Sequence, residues 1–540
     1  MRRPILVAAL LITVLSFGSS ARAQSFPLWG DLRAGAYKVG YRSEIVYDHS
    51  RTFIPERNYE GKLYAGERSR PLLIQIFYPA EIAPNAARML FGDYLNFKAD
   101  TPAAATVIEG LARRTLSIHE YYQDKYLQNY KAGLHERLMK MRTAAVRDAA
   151  QARGRFPVIL YGGGTEFGTD ENVVLCEYLA SHGYVVAVVP MMAASTVTSS
   201  ADAPGLETQT RDMEFLLQHL RGLPNADMTR VAATGFSYSG QAALLMAMRN
   251  PDVKAVVGLD PSFISKNYNP FLKSSPFYNV DNVTAPVLEI HRKDELAVTY
   301  DVSDALKYAE RYSFEIDGLN HVDFTGYAPL YTAVLPEQVK RASPVAARLA
   351  AYEAMARYVL DFLDVYLKGE KNKSSGLRKA VEWKGYPAQS ITFRYSEALP
   401  APPTYAELSR IIRERGIARG EQVYREVLKR DPKARVITEQ SINKLGYELM
   451  GAGKVDEAVR VLQLNVERFP RSANAYDSLA DAYGKKGNQP CVAYSYRKLL
   501  EVVAQDSALD ESARESLRRN ATEQLQKLQA TDARGKCELE

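Results

Sequence analysis

Short runs of apolar, largely β-branched residues alternate with more polar segments through the middle of the chain. The runs lie at Pro71–Tyr78, Phe156–Tyr161, Tyr184–Pro190, Val231–Thr234, Val253–Leu259, Pro286–His291 and Tyr312–Ile316. Their nearly continuous apolar character is typical of parallel strands that are covered by helices on both faces. Between two of the runs, Glu207–Leu220 has the spacing of an amphipathic helix. This order predicts a doubly wound, mostly parallel α/β sheet.

One of these runs breaks into Gly235-Phe236-Ser237-Tyr238-Ser239-Gly240, after which the pattern becomes helical. A strand that ends in a tight turn of small residues and continues as a helix is typical of a nucleophile elbow, which lifts one serine hydroxyl clear of the sheet. Ser237 is therefore the candidate nucleophile. Ser239 stands at the last position of the G-x-S-x-G pattern, and Gly240 follows it directly. A turn without any chemistry is the alternative interpretation.

Upstream, the run Phe156–Tyr161 enters Gly162-Gly163-Gly164-Thr165. This is the place and composition expected of an oxyanion loop, because glycines let amide N–H groups face a ligand at short range. A flexible connection between a strand and a helix is the alternative for a triple glycine.

A catalytic base and an acid have to follow the serine, and His321 lies in the loop after the last predicted strand. The other histidines precede the sheet, lie in a helical insertion or are assigned to packing and the surface: His49, His119, His135, His182, His219 and His291. Asp260 and Asp294 each follow a predicted strand, at the edge where α/β sheets carry catalytic groups. Position alone leaves both acids open.

A family resemblance rests on the run LASHGYVVAVV, the elbow GFSYSG, Gly258-Leu259-Asp260 and the loop GLNHVDF. These stretches resemble the platelet-activating-factor acetylhydrolase branch of the dienelactone-hydrolase-like α/β-hydrolases, over about Lys38 to Lys371. The resemblance implies that Asp260, 23 residues after Ser237, is the acid of the triad, with Asp294 as the alternative.

The same resemblance implies that the backbone amides of Gly163 and Tyr238 are the oxyanion donors. Ser239 departs from the family pattern, in which a glycine is usual. Tyr161 stands where many relatives have a histidine, beside the oxyanion loop, and this departure bears on substrate choice.

The predicted chemistry is hydrolysis of a carboxylic ester by a Ser-His-Asp triad through an acyl-enzyme, without a cofactor. The sequence has no C-x-x-C or H-E-x-x-H, so no metal is expected. Gly163 to Gly168 is not followed by the Lys-Ser/Thr of a nucleotide loop, so nucleotide binding is not expected either. A small-molecule or lipid ester is the expected substrate. The alternatives are a serine peptidase of the prolyl-oligopeptidase type, whose elbow is similar, and a catalytically silent binding scaffold.

The chain begins with the pattern of a signal peptide. Arg2 and Arg3 precede an apolar run that is short for a membrane span, and Ala21-Arg22-Ala23 forms an A-x-A cleavage site. We therefore expect a periplasmic or secreted protein, cleaved after Ala23 and without a transmembrane span. Losing three arginines lowers the formal net charge of the 540-residue chain from +6 to +3, which gives no reason to expect nucleic-acid binding.

The remaining pattern predicts the domain organisation. A catalytic domain is expected over 24–395, with a helical insertion at about 81–155 that is either a lid or acyl-binding cap or a surface decoration. Residues 396–540 become helical, and matches at an offset of 34 residues, such as Gly453 with Gly487, are typical of tetratricopeptide repeats. Such repeats bind a protein or peptide, or they stabilise or dimerise the hydrolase. The arrangement also resembles bacterial exported serine hydrolases that end in such repeats.

Three cysteines are present, Cys176, Cys491 and Cys537, so at most one disulfide forms within a chain. A Cys491–Cys537 bridge in an oxidising compartment and free thiols both remain open.

Overall fold

The computed structural model describes residues 26–57, 60–127, 130, 132–294, 297–379, 386–432, 434, 438–530 and 536–539. The chain divides into two compact units, the first ending at Leu399 and the second beginning at Pro400. The predicted signal peptide lies outside the described residues. Within these ranges, no helix combines the length and the apolar character that crossing a membrane requires.

A mixed sheet of eleven strands, counted over the described ranges, forms the centre of the first unit. The strands are β1 (Lys38–Thr52), β2 (Ser69–Glu81), β3 (Ala145–Arg147), β4 (Ala150–Gln151), β5 (Phe156–Gly162), β6 (Val185–Val189), β7 (Ala226–Phe236), β8 (Val253–Leu259), β9 (Val287–Arg292), β10 (Arg311–Ile316) and β11 (Ile391–Ser396). Their order in space is β11-β10-β9-β8-β7-β5-β6-β2-β1-β3, and β4 pairs with β2. The six strands β5 to β10 are parallel to one another. At the two sides of this block, β2 pairs antiparallel with β6 and β11 pairs antiparallel with β10.

The apolar runs of the sequence correspond to the buried central strands. All of β5, β6 and the last six residues of β7 are buried, so both faces of these strands are covered. The long strand β1 and the edge strand β11 were not expected. Both are largely half-buried or exposed, and polar residues interrupt their apolar pattern.

Helices cover the two faces of the sheet, and further helices make up the second unit. Those of the first unit are α1 (Pro102–Tyr126), α2 (Leu134–Met139), α3 (Val173–Ser181), α4 (Ala203–His219), α5 (Tyr238–Arg249), α6 (Asn269–Lys273), α7 (Asp301–Ala305), α8 (Tyr327–Val334), α9 (Glu337–Lys340), α10 (Ser343–Leu363) and α11 (Ser374–Leu377). Those of the second unit are α12 (Tyr405–Arg415), α13 (Ile417–Arg430), α14 (Glu439–Gly451), α15 (Val455–Arg468), α16 (Ala473–Lys486), α17 (Gln489–Val502) and α18 (Glu511–Ala530).

The insertion at 81–155 contains α1, α2 and the short strands β3 and β4. Two buried side chains of α1 bond to segments that follow central strands. The Arg114 guanidinium donates to the Met191 carbonyl at 2.6 Å, and His119 Nε2 lies 2.6 Å from Asp170 Oδ2. The insertion is therefore fixed to the core by polar bonds as well as by apolar packing.

In the second unit, α12 packs on α13, each helix from α14 to α17 packs on the next, α13 also contacts α15, and α18 packs on α17. A Cβ added at Gly446 of α14 would lie 2.6 Å from the Leu462 side chain of α15, so a glycine is needed where these two helices approach. Cys491 and Cys537 form a disulfide, which links the first turn of α17 to the C-terminal segment, and Cys176 is a buried free thiol.

Candidate active site

The turn between β7 and α5 holds Ser237 in an unusual backbone conformation. Its φ of 56° and ψ of −124° are rarely adopted by a residue with a side chain. The turn also leaves no room at Gly235, where an added Cβ would lie 2.1 Å from the Ser239 carbonyl oxygen. The Ser237 amide donates to the Leu259 carbonyl at 2.9 Å, which ties the turn to the end of β8. These contacts fix the serine as a nucleophile elbow requires.

His321 lies between Ser237 and Asp260. Its Nε2 is 2.8 Å from Ser237 Oγ, and its Nδ1 is 2.5 Å from Asp260 Oδ2. With the proton on Nδ1, the imidazole donates to the carboxylate and accepts the serine hydroxyl at Nε2. The Phe236 ring stacks on the imidazole with 4.6 Å between ring centres. The geometry is that of a nucleophile, a base and an orienting acid.

The Asp260 carboxylate is buried and has a cationic neighbour, Arg292, that the sequence did not indicate. The Arg292 backbone amide donates to Oδ1 at 3.0 Å, and its guanidinium donates to Oδ2 at 2.8 Å. Burial by itself would raise the pKa of Asp260, but the hydrogen bond and charge of His321 and the charge of Arg292 outweigh it, so that pKa is lowered. Asp260 is therefore held as a carboxylate.

Asp294, the alternative acid, lies in the wall of a cavity of about 330 Å³ that also contains Ser237 and His321. The histidine hydrogen bond goes to Asp260 and not to Asp294. The cavity wall also includes Thr165, Phe167, Tyr238, Pro261, Ile264, Tyr268, Arg292 and Val298. Among the described residues, none of the insertion at 81–155 lines this cavity.

The glycine loop after β5 differs from the prediction at one residue. The Gly163 amide donates to the Val189 carbonyl at 3.0 Å, which extends the pairing of β5 with β6. This bond corrects the assignment of Gly163 as an oxyanion donor, because its N–H is used within the sheet. The Gly164 amide is also bonded, to Glu171 Oε2 at 2.7 Å.

The next amide, that of Thr165, has no hydrogen-bond acceptor among the described residues, and Thr165 lines the cavity beside Ser237. Tyr238, predicted as the other donor, is the first residue of α5, so its amide has no intrahelical acceptor. Thr165 was not among the predicted site residues, because the sequence does not reveal how far the pairing of β5 with β6 continues.

Two departures from the family pattern have structural roles. The Ser239 hydroxyl donates to the Gly163 carbonyl at 2.5 Å, so it connects the start of α5 to the glycine loop. The Tyr161 side chain is 2% exposed and donates to Glu171 Oε1 at 2.5 Å. Tyr161 is not among the residues that line the cavity, so the expectation that it bears directly on substrate choice is not supported.

No group of three or more His, Cys, Asp or Glu side chains is arranged to hold a metal ion in the part of the chain that the structure describes.

Comparison with known proteins gives matches to part of the chain. A sequence model of the chlorophyllase family matches residues 136–269. Cutinase 2 of Thermobifida cellulosilytica is 24% identical over 210 residues, which cover 34% of this chain and 74% of the cutinase. Chlorophyllase-1 of Citrus unshiu is 34% identical over 113 residues, which cover 20% of this chain and one third (33%) of that enzyme.

Among solved structures, a ferulic acid esterase from Streptomyces cinnamoneus aligns with 67% of this chain and 98% of its own, with 19% identity and a TM-score of 0.44.

The mostly parallel sheet with helices on both faces is that of an α/β-hydrolase. The relatives named above are chlorophyllase-like and cutinase-like ester hydrolases. The chain is accordingly an esterase-like enzyme with an α/β-hydrolase fold.

Proposed function

We propose that this protein hydrolyses carboxylic esters through a Ser237–His321–Asp260 triad and an acyl-enzyme. The observation that carries the proposal is the pair of hydrogen bonds of His321, 2.8 Å to Ser237 Oγ and 2.5 Å to Asp260 Oδ2, among residues that line one cavity. The sequence similarity to cutinase and chlorophyllase supports the ester as the bond that is cleaved.

In the first half of the reaction, His321 Nε2 takes the proton of Ser237 as Oγ attacks the ester carbonyl carbon. Asp260 stabilises the resulting imidazolium and keeps its ring in place. The oxyanion accepts hydrogen bonds from the Thr165 and Tyr238 amides, which replace the predicted pair of Gly163 and Tyr238. Collapse of the tetrahedral intermediate breaks the bond to the alkoxy oxygen, and the imidazolium gives its proton to the leaving alcohol.

In the second half, a water molecule attacks the acyl-serine while His321 accepts its proton. The same two amides stabilise the second oxyanion, and the serine leaves with the proton from the imidazolium. The products are one alcohol and one carboxylic acid, and the enzyme is restored.

The substrate is proposed to be a small-molecule or lipid ester. Phe167, Pro261, Ile264, Tyr268 and Val298 give the cavity an apolar part, which suits an acyl chain or a ring. Its volume of about 330 Å³ is at the lower end of the range for small-molecule sites.

A series of p-nitrophenyl esters of increasing acyl length tests this function, with a Xaa-Pro p-nitroanilide included for the peptidase alternative. We expect turnover of the esters, a preference for one range of acyl lengths, and loss of turnover in Ser237→Ala. Cleavage of the anilide without ester turnover would favour the peptidase, and turnover of neither substrate by folded protein would favour the binding scaffold.

The particular branch of α/β-hydrolases is also a proposal. Asp260 follows β8, which is the strand after the elbow helix, and this position matches the platelet-activating-factor acetylhydrolase branch. Asp294, after β9, is at the position that is more usual across α/β-hydrolases.

We further propose that the second unit is a tetratricopeptide-like domain and that the protein is exported. The similar lengths of α14 to α17, the glycine at the crossing of α14 and α15, and a hydrogen bond between Tyr447 and Asp481, 34 residues apart, support the repeat assignment. A protein or peptide partner is the proposed ligand of the repeats.

The Cys491–Cys537 disulfide supports export to an oxidising compartment. Mass spectrometry of the mature protein would test cleavage after Ala23.

A further inference from the structure

We propose that Glu171 is a positioning residue, which holds the glycine loop in the conformation that presents the Thr165 amide to Ser237. The inference rests on the proposed function, because it concerns the oxyanion donor of that site. Its basis is a set of buried contacts between the Glu171 carboxylate, the loop and the segment that carries the catalytic base.

The Glu171 side chain is 2% exposed and accepts two hydrogen bonds. The Gly164 amide donates to Oε2 at 2.7 Å, and the Tyr161 hydroxyl donates to Oε1 at 2.5 Å. Gly164 is directly before Thr165, so the carboxylate fixes the backbone at the residue that precedes the candidate donor.

The other side of Gly164 is fixed as well. Its carbonyl accepts the Arg114 guanidinium at 3.4 Å and the Phe167 amide at 3.4 Å. This carbonyl and the Thr165 N–H belong to one planar trans peptide and therefore point in opposite directions. Bonds that hold the carbonyl on the Arg114 side thus direct the Thr165 N–H away from Arg114. An added Cβ at Gly164 would lie 2.6 Å from the Phe236 ring, so the loop packs directly on the residue before Ser237.

Glu171 also connects this loop to the loop of the base. Its backbone carbonyl accepts the Gly326 amide at 2.8 Å, two residues after the short helical turn His321–Phe324. The neighbouring Asn172 side chain donates to the Phe324 carbonyl at 3.3 Å. One segment therefore anchors both the oxyanion loop and the loop that carries the imidazole.

The surroundings of Glu171 favour a carboxylate whose protonation responds near neutral pH. Burial raises its pKa to about 7, against the hydrogen bonds from Tyr161 and Gly164 and the charge of Arg114, which lower it. The titratable and charged groups that face it are Tyr161, Arg114, Asp170, Cys176 and Tyr327. Loss of the Tyr161 hydrogen bond would raise this pKa further.

The chain offers a matched control in Glu177, a second buried glutamate at 1% exposure. Glu177 also accepts a tyrosine hydroxyl, from Tyr94 at 2.6 Å, and backbone amides, from Ala144 at 3.0 Å and Ala145 at 3.1 Å. These partners lie outside the glycine loop. A Glu→Gln change at 177 therefore removes the same kind of contact without touching the proposed donor.

The test compares wild type, Glu171→Gln, Glu177→Gln and Tyr161→Phe in two measurements. The first is amide hydrogen exchange of the peptide that contains Gly164 and Thr165. The second is the steady-state kinetics of a p-nitrophenyl ester together with the affinity for a trifluoromethyl ketone, whose adduct places an oxyanion at the site. We expect Glu171→Gln to speed exchange in this peptide and to lower both kcat and ketone affinity about 10- to 100-fold, with KM within about 3-fold. Glu177→Gln should change none of these by more than about 3-fold.

Tyr161→Phe keeps the Glu171 carboxylate and is the variant to use if Glu171→Gln does not fold. It should shift the acidic limb of the kcat–pH profile to higher pH, an effect that a purely structural role would not produce. Unchanged exchange in Glu171→Gln, unchanged kcat, or an equal loss in Glu177→Gln would overturn the inference. A folded wild type that hydrolyses no ester would overturn the proposed function itself, which is a distinguishable result.

Discussion

His321 with Asp260 and His119 with Asp170 form two hydrogen-bonded pairs in the same unit, and they differ in their surroundings. The two distances are nearly equal, 2.5 Å and 2.6 Å. The His321 side chain is 33% exposed and borders the cavity, whereas the His119 side chain is 1% exposed. A short bond between a histidine and an aspartate therefore does not by itself define a catalytic site.

The two pairs differ in the group that is bonded to the second nitrogen of each imidazole. In His321, Nε2 is hydrogen-bonded to the hydroxyl of Ser237, which the strained elbow turns toward the cavity. The other ring nitrogen of His119, Nδ1, is hydrogen-bonded to the Tyr331 hydroxyl at 2.6 Å, inside the packed core. We infer that the first pair serves proton transfer and that the second fixes the insertion to the core.

The largest expected contrast between the two pairs comes from removing each imidazole. His321→Ala should lower kcat for a p-nitrophenyl ester by about 10⁶-fold, because the serine loses its base. His119→Ala should lower the free energy of unfolding by about 3 to 5 kcal/mol, since it leaves Asp170 buried and unpaired, while the folded fraction keeps kcat within about 10-fold. Denaturant unfolding and active-site-normalised kinetics measure both effects. Comparable kcat losses in the two variants would remove the distinction.

The next largest contrast in kcat is expected between variants of the two candidate acids, Asp260 and Asp294. Asp260→Asn should lower kcat about 10⁴-fold, because the amide favours the wrong imidazole tautomer. Asp294→Asn should change kcat by no more than about 3-fold, since the hydrogen bond of His321 goes to Asp260. The same ester assay decides between them. A large loss in Asp294→Asn with activity retained in Asp260→Asn would reverse the assignment of the acid.

A smaller effect distinguishes the two amides of the glycine loop. Replacing the Thr165 amide by an ester bond removes its N–H and should lower kcat about 10²- to 10³-fold. The same replacement at Gly163 removes a bond to Val189, so it should lower stability while kcat stays within about 10-fold. Kinetics of the two semisynthetic proteins give the answer, and the opposite order would restore Gly163 as the donor.

The smallest expected effect is a pH dependence of stability near the second pair. Burial raises the pKa of Glu171 from 4.5 to about 7, so the native carboxyl binds a proton more tightly than the unfolded one. Its contribution therefore lowers the free energy of unfolding as pH rises from about 4.5 to about 7, by at most about 3 kcal/mol. Glu171→Gln lacks this contribution. Urea unfolding at pH 5 and pH 8 should give a smaller pH difference in the variant, and equal differences would contradict the shifted pKa.

Much of this site follows from local patterns. The apolar runs of β5, β7 and β8 appear in the sequence because these strands are buried on both faces. Ser237 is predicted from its turn, and His321 from its place after the last strand of the run. For both residues, the reactive side chain and the neighbouring residues that indicate its turn or loop lie within a few positions of each other in the sequence.

Other parts depend on contacts that the sequence does not encode locally. The use of the Gly163 amide depends on how far β5 pairs with β6, and this bond made the Gly163 prediction wrong. Arg292 reaches Asp260 from the neighbouring strand, and Glu171 reaches the loop that precedes it through buried contacts. Charged residues are usually exposed, so no single-sequence signal separated these two from the surface.

The most direct test of the central claim is labelling by a fluorophosphonate probe, with the modified peptide mapped by mass spectrometry. The account predicts a single adduct on Ser237 that is lost in Ser237→Ala and in His321→Ala and is retained in folded His119→Ala. An unlabelled folded wild type, an adduct on another serine, or labelling that persists at the wild-type rate in His321→Ala would contradict it.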